Sequence, residues 1–313
     1  MLENDYIYEV YKERSFSVAA KNLFISQPAL SASVKKTEEE LGITIFDRST
    51  SPITVTQEGK IYIESIEKIK RIKEETMTKL SDIGKLKHGH VTVSGENFVS
   101  SFIMPKIILE FSKKYPGVDI ELIESNSPDL SLQLINESID LLIAHDFNHN
   151  LFDSVALFSE TLLLAVPKNF EINDNLKEYQ LSVEDIINDK HLEETCPKIN
   201  LSTFQTQPFI MLKKGNDTYR RAKLLFEEQG ITPKNVVIYL DQLITSYNMA
   251  CAGLGIIFIS DIIVKTSKEQ GVIFYKINGR STHRTMQIGY KKNKYISKAM
   301  TEFIKTAKDV YSK

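Results

Sequence analysis

Residues 14–46, RSFSVAAKNLFISQPALSASVKKTEEELGITIF, constrain the fold more tightly than any other stretch, because two helix starts, a helix stop and the opening of a hairpin follow one another within it. Ser17 is a good N-cap for a helix through Val18, Ala19, Ala20 and Leu23, since a serine hydroxyl can accept from a backbone N–H left open at a helix start. Ser26 caps a second helix that takes Pro28 in its first turn, where no backbone donor is required. That helix puts Ala29, Leu30, Val34 and Leu41 at core-facing spacing and leaves Gln27, Ser31, Ser33, Lys35 and Lys36 to project outward. Gly42 stops it, and Thr44 to Phe46 with Ile53 to Val55 alternate as a short hairpin around Arg48-Ser49-Thr50-Ser51-Pro52. Two short helices at a tight turn and a following hairpin predict a winged helix-turn-helix, with the 48–52 turn as its wing.

Amide, hydroxyl and ammonium groups on an exposed helix are the groups that read base edges and phosphates. Ser26, Gln27, Pro28, Ser31, Ser33, Lys35 and Lys36, with Arg48 and Ser49 of the wing, are therefore the expected contacts to double-stranded DNA. Bulk charge argues the other way. Residues 1–60 hold seven Lys or Arg against nine Asp or Glu, where a basic domain is the usual footprint of nucleic-acid binding. The acids gather in the first helix and after Lys36, however, and the proposed reading face keeps Lys35, Lys36 and Arg48.

The succession SFSVAA, ISQPALS, an acidic helix end with LG, IFDR, and a threonine with EG resembles the N-terminal domain of LysR-type transcriptional regulators over about sixty residues. The resemblance implies a sequence-specific regulator in which this domain is joined by a long helix to a ligand-responsive effector domain shaped like a two-lobed periplasmic binding protein. It also implies a homodimer or homotetramer on a near-palindromic operator, with RNA polymerase as a further partner. Three positions depart from the pattern. Ala32 and Ser51 stand where many relatives place arginines, which implies a different base code, and Thr37 stands where leucine is usual, which implies a less apolar core.

From Thr56 the segment TQEGKIYIESIEKIKRIKEETMTKLSDIGKLKHG contains no proline and spaces Tyr62, Ile66, Ile69, Leu80 and Ile83 by three, four or multiples near seven, the pattern of one long amphipathic helix. Lys73 and Thr76 interrupt its seam. An apolar stripe needs a partner, and the resemblance makes that partner the same helix of a second subunit; the competing reading is a helix packed on its own globular body.

Beyond Gly89 the rhythm is strand, helix, strand, the pattern of an α/β domain. Val91–Ser94, Val118–Glu124 and Ile139–Ala144 read as strands, and Phe102–Tyr115 and Leu130–Asn136 as helices. A second lobe starts near Thr161, with LLLAV, FIML, VVIY and GIIFI as strands and helices over Asp217–Gln229 and Asp241–Ala252. Val272–Ile277, Thr285–Lys291 and a helix over Ser297–Tyr311 are expected to complete the first lobe. The resulting division is a DNA-binding domain over 1–58, a linker helix over 59–88 and an effector-binding domain over 89–313, its lobes covering about 89–160 with 266–313 and about 161–265. The resemblance extends here through FSKKYPGVDIEL, IDLLIA, LLLAVPK and CAGLGIIFIS. Ser260 replaces a common proline, and Asp189–Gln207 is longer than usual.

Two crossovers between lobes make a cleft, and α/β folds bind ligands beyond the carboxyl ends of their strands. Asn97, Phe98, Ser100 and Ser101 follow the first strand, Ser127 and Pro128 open a helix, and Lys213 and Asn216 precede one in the far lobe. Open N–H groups and the positive end of the helix dipole at such places favour an anion, so a small organic anion is the expected effector. Ordinary helix capping is the competing reading of these serines.

Enzyme signals are weak. Gly253-Leu254-Gly255 fails the dinucleotide fingerprint because Phe258 takes the third glycine position, and no GxSxG elbow occurs. His145, Asp146 and His149 sit in an asparagine-rich loop, and His88 and His90 flank a glycine, so no metal, cofactor or catalysis is expected. Cys196 and Cys251 are too far apart in sequence to suggest a metal clip and read as two unpaired thiols of a reducing compartment. No apolar run approaches bilayer length and the start has no signal-like pattern, so the cytoplasm is the expected location. A cytoplasmic small-molecule binding protein that uses its N-terminal helices only to dimerise is the alternative, and the ISQPALS start with the IFDR wing is the feature it cannot account for.

Overall fold

The computed structural model describes residues 2–81, 89–124, 130–266 and 271–311, and the chain divides into two compact units, 1–83 and 84–313. The first unit runs α1 (Leu2–Glu13), α2 (Phe16–Asn22), α3 (Gln27–Leu41), the hairpin β1 (Phe46–Asp47) and β2 (Thr54–Val55), then α4 (Gln57–Ser81). Ser15, not Ser17, caps α2: its hydroxyl accepts from Val18 N–H at 3.3 Å, and Ser17 already lies within the first turn. Ser26 caps α3 by accepting from Ala29 N–H at 3.3 Å, with Pro28 inside the first turn and Gly42 closing the helix at φ 66°. That left-handed stop is a conformation glycine adopts without a Cβ penalty.

Ile7, Val10, Phe16, Leu30, Val34, Ile45 and Phe46 form the core of this unit. The buried face of α3 is Leu30, Val34 and Thr37, one row along the helix, while Ala29 and Leu41 are exposed. Thr37 is accommodated because its hydroxyl donates to the Ser33 carbonyl at 3.3 Å, so no buried polar group is orphaned.

The wing is fastened to α3 by Glu38. Its carboxylate accepts from Ile45 N–H at 2.7 Å, Phe46 N–H at 3.1 Å and Arg48 Nη2 at 2.8 Å. Arg48 also donates to Ser31 Oγ at 3.1 Å and lies 4.8 Å from the Phe16 ring centroid.

Helix α4 starts where Thr56 Oγ1 accepts from Gly59 N–H at 2.9 Å, and a Cβ on Gly59 would collide with the Ile45 carbonyl. The apolar stripe predicted along α4 serves two purposes. Ile63 and Ile66 are buried in the core of this unit, and Tyr62 is half-buried with its hydroxyl donating to Asn4 Oδ1 at 3.0 Å. Ile61, Ile69, Ile72, Met77 and Leu80 are exposed, and Ile83 lies outside the described residues.

The second unit holds β3 (Gly89–Gly95), α5 (Asn97–Phe102), α6 (Met104–Lys114), β4 (Val118–Glu124), α7 (Leu130–Ile135), β5 (Leu141–Ala144) and β6 (Phe152–Pro167). It continues through β7 (Gln180–Leu181), α8 (Val183–Ile187), β8 (Pro208–Leu212), α9 (Asp217–Glu228), β9 (Asn235–Leu240), α10 (Leu243–Cys251), β10 (Ile257–Ser260) and α11 (Asp261–Thr266). It ends with β11 (Val272–Lys276), β12 (His283–Lys291) and α12 (Lys298–Tyr311). The helix expected over 102–115 is α6, which starts at Met104 with Pro105 in its first turn, and the stretch before it, expected as a connection, is the separate helix α5.

Strand β6 belongs to both lobes. Residues Phe152–Thr161 pair antiparallel with β12, within the near-lobe order β4-β3-β5-β12-β6, and Leu162–Pro167 pair with β10 and β11. Strand β11 pairs with Leu163–Pro167 and with β7, so 272–276 belongs to the far lobe and not to the near lobe as expected. Its register leaves no edge for it in the near sheet, where β12 already fills the place between β5 and β6. The parallel pair β8–β9 joins the far lobe through a bridge between Phe209 and Ile256. Along the far half of β6, Leu162, Leu164 and Val166 enter one core and Leu163 and Ala165 another, which is why LLLAV reads as an unbroken apolar run. Cys196 and Cys251 form no disulfide.

Replacing Glu38 with Ala should lower the stability of the N-terminal unit by about 2 kcal/mol, since one mostly buried carboxylate serves three donors. A urea melt checks this; an unchanged midpoint would mean that apolar packing alone holds the wing.

Candidate functional site

In the first unit, Ser26, Gln27 and Pro28 stand exposed at the start of α3, and Ser31 and Ser33 are half-buried one turn on. Lys35 is paired with Glu39 at 3.5 Å, and Lys36 with Glu40 and Glu3, each at 3.5 Å. Glu40 and then Glu3 push the Lys36 ammonium above its ordinary range. Such exposed pairs are weak, so phosphate oxygens could displace the carboxylates at little cost. The Ser49 hydroxyl donates to Asp47 Oδ1 at 2.6 Å. Arg48 is the residue whose expected place changes most: it is turned onto Glu38, Ser31 and the Phe16 ring, so it orients the wing against α3 in this form. Sequence reasoning missed Glu38. The available signal was three consecutive glutamates at the C-terminal end of a helix, where the dipole disfavours negative charge unless each acid finds a cation. Each does: Glu38 with Arg48, Glu39 with Lys35 and Glu40 with Lys36.

In the second unit, a cavity of about 190 Å³ opens beyond the carboxyl ends of β3, β4, β9 and β10 and the starts of α5, α9 and α10. Asn97, Phe98, Ser101 and Asn216 line it. Ser100 does not. It is buried within α5 and its hydroxyl donates to the Gly95 carbonyl at 3.3 Å, so it neither lines the cavity nor caps the helix, whose N-cap is Glu96. Lys213 is exposed, bound to Asp241 Oδ2 at 2.7 Å, and is not part of the lining; Ser127 and Pro128 lie outside the described residues. Asn216 caps α9 by accepting from Thr218 N–H at 2.9 Å.

The charge of the lining is opposite to the expectation of an anion site. Glu96, Glu124, Glu160, Asp217 and Asp241 line the cavity together with a single guanidinium, Arg284. The helix starts that were to attract an anion already carry the protein's own acids: Glu96 precedes α5, Asp217 begins α9, and Asp241 lies two residues before α10. Negative charge of the protein itself thus already stands beside each of these helix starts.

Behind the cavity these acids enter a buried network. Glu160 on β6 is fully buried, bound to Arg221 Nη1 of α9 at 2.5 Å and to Arg284 Nη2 of β12 at 2.8 Å. Arg221 also donates to the carbonyls of Thr282 at 2.7 Å and Ser281 at 3.2 Å. Asp217 binds Arg284, Arg220 at 2.8 Å and the His145 ring at 2.9 Å. His145, one of the histidines weighed as a metal ligand, thus holds a far-lobe carboxylate from the end of β5. Burial works to raise the Glu160 carboxyl, but the Arg284 and Arg221 charges outweigh it and hold it below the usual range. Burial is likewise overcome at Asp217, by His145 and Arg284. At Arg284 the desolvation cost is exceeded by Glu160 and Asp217, which keep the guanidinium more firmly protonated than usual.

Both halves of the chain match known families. Residues 5–60 match the family described as bacterial regulatory helix-turn-helix protein, lysR family, and residues 84–312 match the LysR substrate binding domain. The chain is 28% identical to YcgK, an uncharacterized HTH-type transcriptional regulator of Bacillus subtilis, over 97% of this chain and 93% of that protein. It is 26% identical to a probable RuBisCO transcriptional regulator of Gracilaria tenuistipitata var. liui, over 95% of this chain and 91% of that one. Among solved structures, full-length CbnR complexed with its target DNA shares the fold with a TM-score of 0.67 at 16% identity, covering 98% of both chains.

Removing the Glu160 carboxylate should leave two buried guanidinium groups short of a partner. Glu160→Ala is therefore expected to cost about 3 to 5 kcal/mol, the usual penalty for breaking one side of a buried pair. Acid should act on the same network. A carboxyl held below its unfolded value stabilises the fold above the ordinary carboxylate range, and that contribution is lost as pH falls through the depressed folded value. Unfolding of the parent followed from pH 6 down to pH 3 should show stability falling, and Asp217→Asn should flatten that fall; an equal slope in both proteins would remove Asp217 from the account.

Proposed function

The chain belongs to the LysR family and is a DNA-binding transcription regulator carrying an effector-binding domain, and from that premise we propose that it works as a homo-oligomer on a near-palindromic operator, switched by a small molecule in the cavity of its second unit. The observation that carries the DNA-reading part is the exposed start of α3, where Gln27 has its amide outward beside the capping Ser26. Gln27 and Ser31, one helical turn apart, are assigned to base edges, with Lys35, Lys36 and Ser49 on phosphates. Arg48 sets the angle of the wing.

The exposed residues of α4 support the oligomer. Ile61, Ile69, Ile72 and Leu80 fall within about 100° of arc at 3.6 residues per turn, an apolar strip on a helix whose other face is already used by its own unit. A second copy of α4 is the partner assigned to it, and two recognition helices then address two half-sites. Switching is a population shift: ligand changes the balance between two lobe arrangements only to the extent that it binds them unequally. Asp217, which lines the cavity from the far lobe, is bound behind it to His145 of the near lobe, which supports this reading of the network as a latch. RNA polymerase is the further partner assigned, and the cytoplasm the location; no described helix is long and apolar enough to cross a membrane.

Gln27→Ala should cost on the order of 1 to 3 kcal/mol on DNA from upstream of the protein's own reading frame while leaving binding to random DNA nearly unchanged. Equal losses on both in a gel-shift titration would reject Gln27 as a base reader. The α4 strip is tested by Ile69→Glu combined with Ile72→Glu, both exposed and so free of effects on the core. Light scattering should report a smaller particle, and affinity for a two-half-site operator should fall far more than for one half-site; an unchanged mass would assign the strip to another contact.

A further inference from the structure

We infer that the cavity of the second unit takes an organic cation, an ammonium group on a short apolar stem, and not a small carboxylate; this rests on the reading of that cavity as the effector site. Three observations carry it. The first is commitment of charge. Arg284, the one cation of the lining, is already shared between Glu160 and Asp217, and Lys213 is held on Asp241 outside the lining. Of the five lining carboxylates, Glu160, Asp217 and Asp241 are paired with arginine or lysine, so the charge left over is that of Glu96 and Glu124, against a single open donor, the Arg284 Nε–H.

The second is Glu96. It is half-buried at the start of α5, its side chain makes no capping bond, and among the described residues its carboxylate has neither a hydrogen bond nor an ion pair. Desolvation and then the nearby Asp217 charge push its carboxyl above the ordinary range, outweighing the charges of His145, Arg284 and Arg220, which lie near but are bound to other carboxylates. Glu124, exposed at the end of β4 and lining the same cavity, is likewise without a partner among the described residues. A carboxylate withdrawn from water without a partner is costly, and an ammonium group that restores the pairing recovers that cost on binding.

The third is the rest of the wall. Phe98, Phe102, Leu243 and Ile244 give the cavity an apolar side, which a bare metal ion would not use and which suits the carbon body of an amine, with the aromatic faces also favourable to a cation. A cavity of about 190 Å³ lies below the roughly 300 to 1,000 Å³ of drug-sized sites, so the ligand is small. An α-amino acid fits less well than a simple amine or diamine, because its carboxylate would again need a free cation.

The experiment compares charge with shape held nearly constant. Full-length protein is titrated by calorimetry and thermal shift with 1,4-diaminobutane and benzylamine, and with their carboxylate counterparts succinate and benzoate. At least one amine should bind ten or more times more tightly than its counterpart. Glu96→Gln should weaken that amine at least tenfold and raise the melting midpoint of the unliganded protein, because a partnerless carboxylate has been removed. If that variant does not fold, Glu124→Gln at an exposed position carries the same comparison. Tighter binding of the carboxylates, or no binding of either amine, overturns the inference; carboxylate binding lost in Asn97→Ala would at the same time keep the cavity as the effector site. Amine binding indifferent to Glu96→Gln, Glu124→Gln and Asp241→Asn alike would put the ligand elsewhere and overturn the effector-site reading itself.

Discussion

Complete burial of the Glu160 carboxylate is the constraint on which the effector-binding unit depends. A buried carboxylate is tolerable only if cations come with it, and the two that do arrive from different elements: Arg221 from α9 of the far lobe and Arg284 from β12, which returns the chain to the near lobe. Glu160 itself sits on β6 just before that strand passes from one sheet to the other. The pivot between lobes is therefore an electrostatic joint, specific in direction because guanidinium groups bind carboxylates along fixed axes. Its worth is orientation more than stability, since a buried pair roughly breaks even against its own desolvation.

The joint and the cavity share residues. Glu160, Asp217 and Arg284 belong to both, so a charged ligand cannot enter without changing the field at the pivot. A ligand cation would draw on Glu96 first and on Asp217 next, competing with the contacts that join Asp217 to His145. On the proposed function, occupancy and lobe arrangement would be coupled through these few charged groups, with no need for a long path of small displacements.

The DNA-binding unit solves a similar problem on a smaller scale. A two-residue ladder is too short to hold a wing in place, and Glu38 supplies what the hairpin lacks by binding two backbone donors and Arg48 at once. The same carboxylate offsets the unfavourable end of the α3 dipole by bringing a cation to it. Helix α3 and the wing are thus held together by side-chain contacts, and the expected DNA contact Arg48 is one of the residues that holds them.

Much of this was legible in the amino-acid order because the signals act over a turn or two of chain. Ser26, Pro28 and Gly42 bound α3 by satisfying or removing backbone groups next to themselves, and the unbroken apolar run LLLAV marked the far half of β6, though not its near half from Phe152. The shift of the α2 cap from Ser17 to Ser15 is an error of two residues within the same local physics, whereas the short helix α5 before Pro105 was missed altogether. What only the tertiary structure decided is partnership across distance. Ile66 and Ile69 look alike in sequence, yet one is buried in its own unit and the other exposed, because the globular body ends between them. Glu160 and Arg284 are separated by 124 positions, and nothing local to either indicates that they meet. The charge of the cavity follows from that kind of pairing: helix starts alone suggest an anion, but the fold brings five acids to the lining, pairs Glu160, Asp217 and Asp241 with cations, and leaves Glu96 and Glu124 without one in direct contact among the described residues.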